Sequence, residues 1–291
     1  MNTIRILFAL ATFFLSAITL SSQELKAYQL FDAEGNKTDF NDLVNRSAQA
    51  EVVLFGELHN NPISHWLQLE LTMALFSQKG EALVMGAEMF GADNQLLLDE
   101  YFSGQITERN FLAEAKLWNN YATDIKPLIE FARENNLRFI ATNIPRRYAS
   151  LVNREGFEGL EKLTEEAKST IAPLPVAYDP ELPGYKAMLE MGGMPGHTSD
   201  NFPKAQAIKD ATMAHFILKN FSPGNTFIHF HGTYHSNNYE GIVWYLQNER
   251  QELRIITLAT VEQEQVDELT EENRGLADFI LAVPARMTKT Y

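Results

Sequence analysis

Two carboxylates, a group of histidines, an asparagine and two arginines stand just beyond apolar runs in this 291-residue sequence. Gly56-Glu57-Leu58-His59-Asn60 follows Glu51-Val-Val-Leu-Phe. Glu88-Met89-Phe90 closes a second run from Ala82, and Asn143-Ile144-Pro145-Arg146-Arg147 follows a third, Leu137–Thr142. A fourth reads Ile228-His229-Phe230-His231-Gly232-Thr233-Tyr234-His235. Such groups have three chemical uses. Glu57, His59, Glu88 and His235 suit a divalent cation such as Zn, Mn or Fe. The same groups work without metal when a His is the base and a Glu its orienting partner. They also line a pocket for a bound polar group. Arg146 and Arg147 favour carboxylates or phosphates.

The runs carrying these residues read as strands, and the stretches between them as helices. Val52–Phe55 is β-branched and aromatic and ends in Gly56. Pro62 opens a helix that Gly80 stops. Further helices are expected over residues 94–104, 107–118, 124–135, 203–220 and 239–251, and one from Pro145. Strands resume at 226–230, 254–258 and 279–283. Residues 151–201 alternate Glu and Lys and then collect prolines and glycines, which predicts a mainly helical insertion or subdomain. Strands alternating with helices predict an α/β fold, a parallel sheet flanked by helices with a smaller helical subdomain. Ligands of such sheets bind beyond the carboxyl ends of the strands, so the groups above share one rim. Along 229–231 the two His point to one face and Phe230 to the other, with His229 deeper and His231 and His235 nearer the rim. Asp210, on the helix from Pro203, is placed to reach over the strand ends.

Composition narrows the classes. The net charge is −14, and there is no basic cluster, which argues against nucleic acid and anionic membrane surfaces. With no Cys there is no disulfide, no thiolate site and no lipid-bearing cysteine. Arg5, the apolar run Ile6–Leu15 and the small residues before Gln23 form an export-signal pattern. Residues 1–22 are therefore expected to be removed. The remaining 23–291 form the functional domain, exported to the periplasm or envelope and not as a lipoprotein.

The ordered motifs resemble the ChaN-like haem-binding family of iron-regulated proteins. They are Gly56-Glu57-x-His59-Asn60-x-Pro62, Glu88-Met89-Phe90 with Gln95, Trp118 before Pro127-Leu128, Asn143-x-Pro145-Arg146, Gln206-x-x-x-Asp210-x-x-Met213-Ala214, and Gly232-x-x-His235 before Gly241-Ile242. The family's Gly-Asn-Gly-His stretch is Gly232-Thr233-Tyr234-His235 here. The resemblance implies a haem-binding protein of haem or iron acquisition or storage, a homodimer with haem at its interface, and an outer-membrane uptake partner. Its expected pocket residues are Glu57, His59, Glu88, Asn143, Arg146, Asp210, His231 and His235. Without Cys, iron is left His, Met or Tyr as axial ligand. The resemblance implies Tyr, with Tyr121 as candidate, three residues after Trp118, and Tyr148, Tyr178 and Tyr185 as rivals. A more distant resemblance, to erythromycin esterase-like proteins, implies a metal-dependent hydrolase built on Glu57, His59, Glu88 and His235.

Overall fold

The computed structural model describes residues 25–190 and 200–291, so the expected export signal lies outside the described residues. In chain order the elements begin with β1 (Gln29–Asp32), β2 (Lys37–Thr38), α1 (Phe40–Gln49), β3 (Val52–Glu57), α2 (Pro62–Lys79) and β4 (Leu83–Gly91). Then come α3 (Gln95–Phe102), α4 (Glu108–Glu114), α5 (Lys126–Glu134), β5 (Arg138–Asn143) and α6 (Arg146–Glu155). After α7 (Glu165–Lys168), α8 (Pro183–Glu190) and α9 (Phe202–Asn220) follow β6 (Thr226–Gly232), α10 (Ile242–Glu249), β7 (Ile255–Gln263) and β8 (Phe279–Pro284).

The strands form one eight-stranded sheet in the order β2-β1-β8-β7-β3-β6-β4-β5. From β8 to β5 every pair is parallel. β1 runs antiparallel to both β8 and β2, so the sheet is mixed at one edge. β1 and β2, four and two residues long, are too short to show a period in the sequence, whereas α1 follows an Asp39 cap and buries Leu43, Val44, Ser47 and Ala48 along one face.

β3 shows why the runs read as buried strands. All six of its residues are buried. Val53 and Phe55 enter the core under α1, α2 and α5, whereas Val52 and Leu54 face α6, α9 and α10. Residues 151–190 hold the short helices α7 and α8. Leu160, Ile171 and Ala172 join the same core as α9 and α10.

The chain moves from β3 to β4 and β5, then returns to lay β6 between β3 and β4. The crevice at such a reversal is where an open α/β sheet presents its loops to a ligand. Two local features shape it. The β4–β5 register shifts between Ala87 and Gly91, a bulge that carries Glu88 and Met89. Gly56 allows β3 to pass close to the turn after β6, since a Cβ there would lie 2.8 Å from the Thr233 Cα.

Candidate functional site

Glu57 is the last residue of β3 and is 1% exposed. Its Oε1 accepts from the His59 Nδ1 at 2.8 Å, and its Oε2 accepts from the Gln68 Nε2 at 2.6 Å. A buried carboxylate needs such donors to offset lost hydration. His59 comes from the turn before α2 and Gln68 from α2 itself, whose start is fixed by Asn61, its side chain accepting from the Ile63 and Ser64 N–H groups. His65 sits below, with Nε2 3.1 Å from the His59 carbonyl and Nδ1 3.2 Å from the Gln68 Oε1. Asn120 donates to the same His59 carbonyl at 2.9 Å and to Asp124 at 2.9 Å.

His59 is thereby held by backbone and ring. The Trp118 ring meets it edge-on, at 4.7 Å between centroids. Its side chain is 36% exposed, and its Nε2 has no hydrogen-bond partner among the described residues. Burial favours the neutral ring, but the Glu57 hydrogen bond and the Glu88 charge outweigh it and raise the His59 pKa.

A second constellation adjoins the first through Gly232. The Glu88 Oε2 accepts from the Gly232 N–H at 2.8 Å, and a Cβ on Gly232 would touch the His59 ring. The Glu88 Oε1 lies 3.2 Å from the His235 Nε2. On the other side, the His235 Nδ1 is in short contact with the Asp210 Oδ1, and the Gln206 amide lies 2.9 Å from the same nitrogen. Tyr185 donates to the Asp210 Oδ2 at 2.9 Å. Burial opposes charge on His235, yet its two carboxylates push its pKa up to about 9. Glu88 is likewise held well below the carboxylate range by His235 despite burial, whereas burial dominates at Asp210 and raises it. The unit at neutral pH is an imidazolium clamped between two acids.

Glu57, His59, Glu88, Asp210 and His235 are therefore brought together at the ends of β3, β4 and β6. Others fall elsewhere. His231 is fully buried and not at the rim, because both ring nitrogens are engaged: Nδ1 lies 3.0 Å from the His229 Nδ1, and Nε2 lies 2.9 Å from the Ser236 Oγ. His229 closes the chain on the Thr142 Oγ1 at 2.6 Å. Burial pushes His229 down to about 3 and His231 well below its usual value, so both are neutral struts. Asn143 is half-buried and donates to the Glu88 carbonyl at 3.0 Å. Arg146 is exposed with no ion-pair partner among the described residues, while Arg147 pairs with Asp93.

Trp118 and Tyr121 do not share a face. The helix before them ends at Glu114, and a π-helical turn begins at Tyr121, so spacing three apart loses its meaning. Trp118 turns to His59, whereas Tyr121 packs in the core near Phe90 and Phe111. Its buried hydroxyl has no hydrogen-bond partner among the described residues, and burial raises its pKa. Of the rivals, Tyr185 is buried on Asp210, and Tyr148 and Tyr178 pack against neighbouring rings or cations. Two exposed phenols stand near the rim: Tyr234, 79% exposed in the turn that carries His235, and Tyr291, 61% exposed, whose backbone carbonyl accepts from the Asn60 amide and whose hydroxyl feels the Glu57 and Asp124 charges. Inside the Gly232–His235 motif, Tyr234 carries no separate signal in the sequence. Among the described residues, no three His, Asp or Glu side chains are grouped to hold a metal ion. Glu57, Glu88 and His235 are instead engaged in pairwise contacts, and of the His59 ring only Nδ1 is engaged.

Fold and site together define an α/β domain with a buried histidine–carboxylate cluster at its topological reversal, partly exposed at His59. Residues 43–246 match the family described as haem-binding uptake, Tiki superfamily, ChaN, and the chain belongs to that family. Among solved structures it is similar to ChaN of Campylobacter jejuni, whose title records cofacial haem binding, with 19% identity, a TM-score of 0.67, and coverage of 88% of this chain and 96% of that one. A Bacillus cereus protein is similar at 12% identity and a TM-score of 0.50, over 85% of this chain and 92% of its own. The erythromycin esterase EreC aligns at 14% identity and a TM-score of 0.49, over 89% of this chain and 83% of its own. No curated protein sequence matches.

Proposed function

We propose that this chain is an exported haem-binding protein serving haem or iron acquisition, and that haem is held at the mouth of the Glu57–His59 and Glu88–His235–Asp210 crevice. The observation that carries the reading is the exposed Tyr234 phenol, two residues beyond the Gly232 over which the His59 ring lies with its Nε2 unpartnered among the described residues. These residues fit the group. A haem iron needs a reachable His, Met or Tyr donor, and both are reachable here. Tyr234 is the axial candidate, and the exposed Arg146 is the candidate partner for a propionate. The iron, when bound, supplies a Lewis-acid centre for an anionic oxygen. The crevice residues orient that mouth: Glu57 fixes the His59 ring, and Glu88 fixes the Gly232 turn. The membership of the haem-binding family supports the ligand.

Haemin titration of the protein tests this, with spectrum and mass recorded together. A saturable ferric complex, altered in Tyr234→Phe, is expected. Binding no tighter than nonspecific adsorption would sink the reading. A mass doubling on loading would support the homodimer at a shared haem interface. Export to the periplasm is tested by locating the protein and sequencing its N-terminus. A start near Gln23 is expected, and an intact Met1 would refute it. Capture by an outer-membrane uptake protein belongs to the same proposal.

One observation favours a hydrolase as the second reading. His59 presents a free Nε2 while Glu57 holds Nδ1, the geometry of an oriented general base, and the charged His235 lies across Gly232. Ester hydrolysis abolished by His59→Ala and insensitive to chelators would establish it. Absence of turnover on an ester panel would remove it.

A further inference from the structure

A second cavity, of about 520 Å³, lies on the α9–α10 side, away from the crevice. That volume falls in the range of small-molecule sites, roughly 300–1,000 Å³. Lys219, at its edge, is nine residues beyond Asp210 on α9, about 14 Å along the helix at 1.5 Å per residue. The walls are apolar: Pro173 and Val176 from the segment between α7 and α8, and Leu218 from α9. Tyr245 of α10 closes one side, fixed by donating to the Ala177 carbonyl at 2.7 Å.

Two cations edge this apolar trough, in a chain of net charge −14. Lys219 rests near the Phe216 ring at 5.3 Å, and Arg250 over the Phe221 ring at 5.6 Å. Neither forms a salt bridge among the described residues, although Glu249 lines the same cavity. Lys219 stands in the last turn of α9, and Arg250 is the residue that ends the adjacent α10. His215, also lining it, is kept neutral first by burial and then by Lys219, so it adds a polar contact and no charge. Cations resting on aromatic faces give up little when an anion arrives. An apolar trough with two unpaired cations at its edge matches an apolar body with one anionic head.

We propose that this cavity binds a medium-chain carboxylate, its head between Lys219 and Arg250 and its chain along Pro173, Val176 and Leu218. The site is separate from the haem reading and does not depend on it.

The test uses the full chain with laurate by calorimetry and anilinonaphthalene sulfonate as a fluorescent probe. One saturable site is expected, with laurate displacing the probe and dodecanol binding far more weakly. Lys219→Gln with Arg250→Gln should weaken laurate about tenfold or more, the scale of a lost charged hydrogen bond. Leu218→Glu, which places a carboxylate in the trough, should abolish binding, with circular dichroism confirming the fold. Native-like affinity in the double variant, no saturable site, displacement of the probe by haemin, or binding only to phosphatidylglycerol vesicles would each overturn the proposal.

Discussion

Gly232 and the His59 ring compete for one space: a Cβ on Gly232 would lie 2.8 Å from both the Cε1 and the Nε2 of His59. The absence of a side chain at 232 is therefore what leaves room for the Cε1–Nε2 edge of the His59 ring over the turn after β6. Gly232→Ala should push the ring aside, since a half-exposed side chain can move, and stability should change little. Haemin affinity, or esterase turnover under the second reading, should fall severalfold. Gly56→Ala is the contrasting case. Its Cβ would meet backbone, the Thr233 Cα at 2.8 Å and the Leu258 carbonyl at 2.9 Å. Backbone yields poorly, so the expected cost is about 1–3 kcal/mol or more. Thermal unfolding and haemin titration of both variants separate the two. An unaltered haemin affinity in Gly232→Ala would show that His59 does not shape the mouth.

The pH dependence of stability follows from His235. Its pKa, about 9 in the fold, lies above the ordinary 6.5. A group raised on folding contributes stability that is complete below about 6.5 and is lost as pH rises through 9. Glu88, held low, has the opposite window: its contribution is present above its ordinary 4.5 and disappears on acidification. Asp210, raised by burial, works against the fold once ionised. The His235 shift is worth at most about 3 kcal/mol, shared with the two acids. Unfolding midpoints of native protein should fall between pH 6.5 and 9.5 more than those of His235→Asn. Parallel curves for the two proteins would remove His235 as the cause.

Much of this arrangement was legible because strand ends are legible. Val52–Phe55 with Gly56, and Pro62 after it, mark a strand and a helix start from residue chemistry alone. Alternation placed His229 and His231 on one face and Phe230 opposite, where Phe230 meets Phe55. It did not show that His231 would be spent on His229 and Ser236, because depth along a strand depends on what covers its end. β4 runs on to Gly91 through a bulge, and a bulge has no period. The supporting groups His65, Gln68 and Asp124 do not stand at strand ends. His65, Gln68 and Thr72 do stand at core spacing on α2, in line with Leu75, so polar residues on an apolar stripe were the available signal. Asp124 and Asn120 carried none, since only tertiary folding brings them to the His59 carbonyl.

Glu57→Gln isolates what the carboxylate does for His59. The amide keeps the volume and one acceptor but removes the charge. His59, raised by Glu57 and Glu88 against burial, should then titrate lower, because burial is left opposed by Glu88 alone. The side-chain ¹⁵N shifts of His59 across pH read this directly. His229 and His231 should remain neutral through the same range in both proteins. A His59 titration unchanged by the substitution would mean that Glu57 orients the ring without setting its charge.

Tyr121 and Tyr234 offer the sharpest separation of scaffold from site. The Tyr121 hydroxyl is buried without a hydrogen-bond partner among the described residues, so it carries a desolvation cost with no return. Tyr121→Phe removes that cost and keeps the ring against Phe90 and Phe111. Stability should hold or rise, by up to about 1–3 kcal/mol, and the ferric haem spectrum should not change. Tyr234→Phe removes an exposed hydroxyl that supports nothing in the core, so stability should stay within about 0.5 kcal/mol. The ferric spectrum should nevertheless shift, with weaker haemin binding, because the loss falls on the iron donor itself. The reverse result, a spectrum altered in Tyr121→Phe and native in Tyr234→Phe, would mean that haem enters by opening the aromatic core around Tyr121. The exposed lip would then not be its seat.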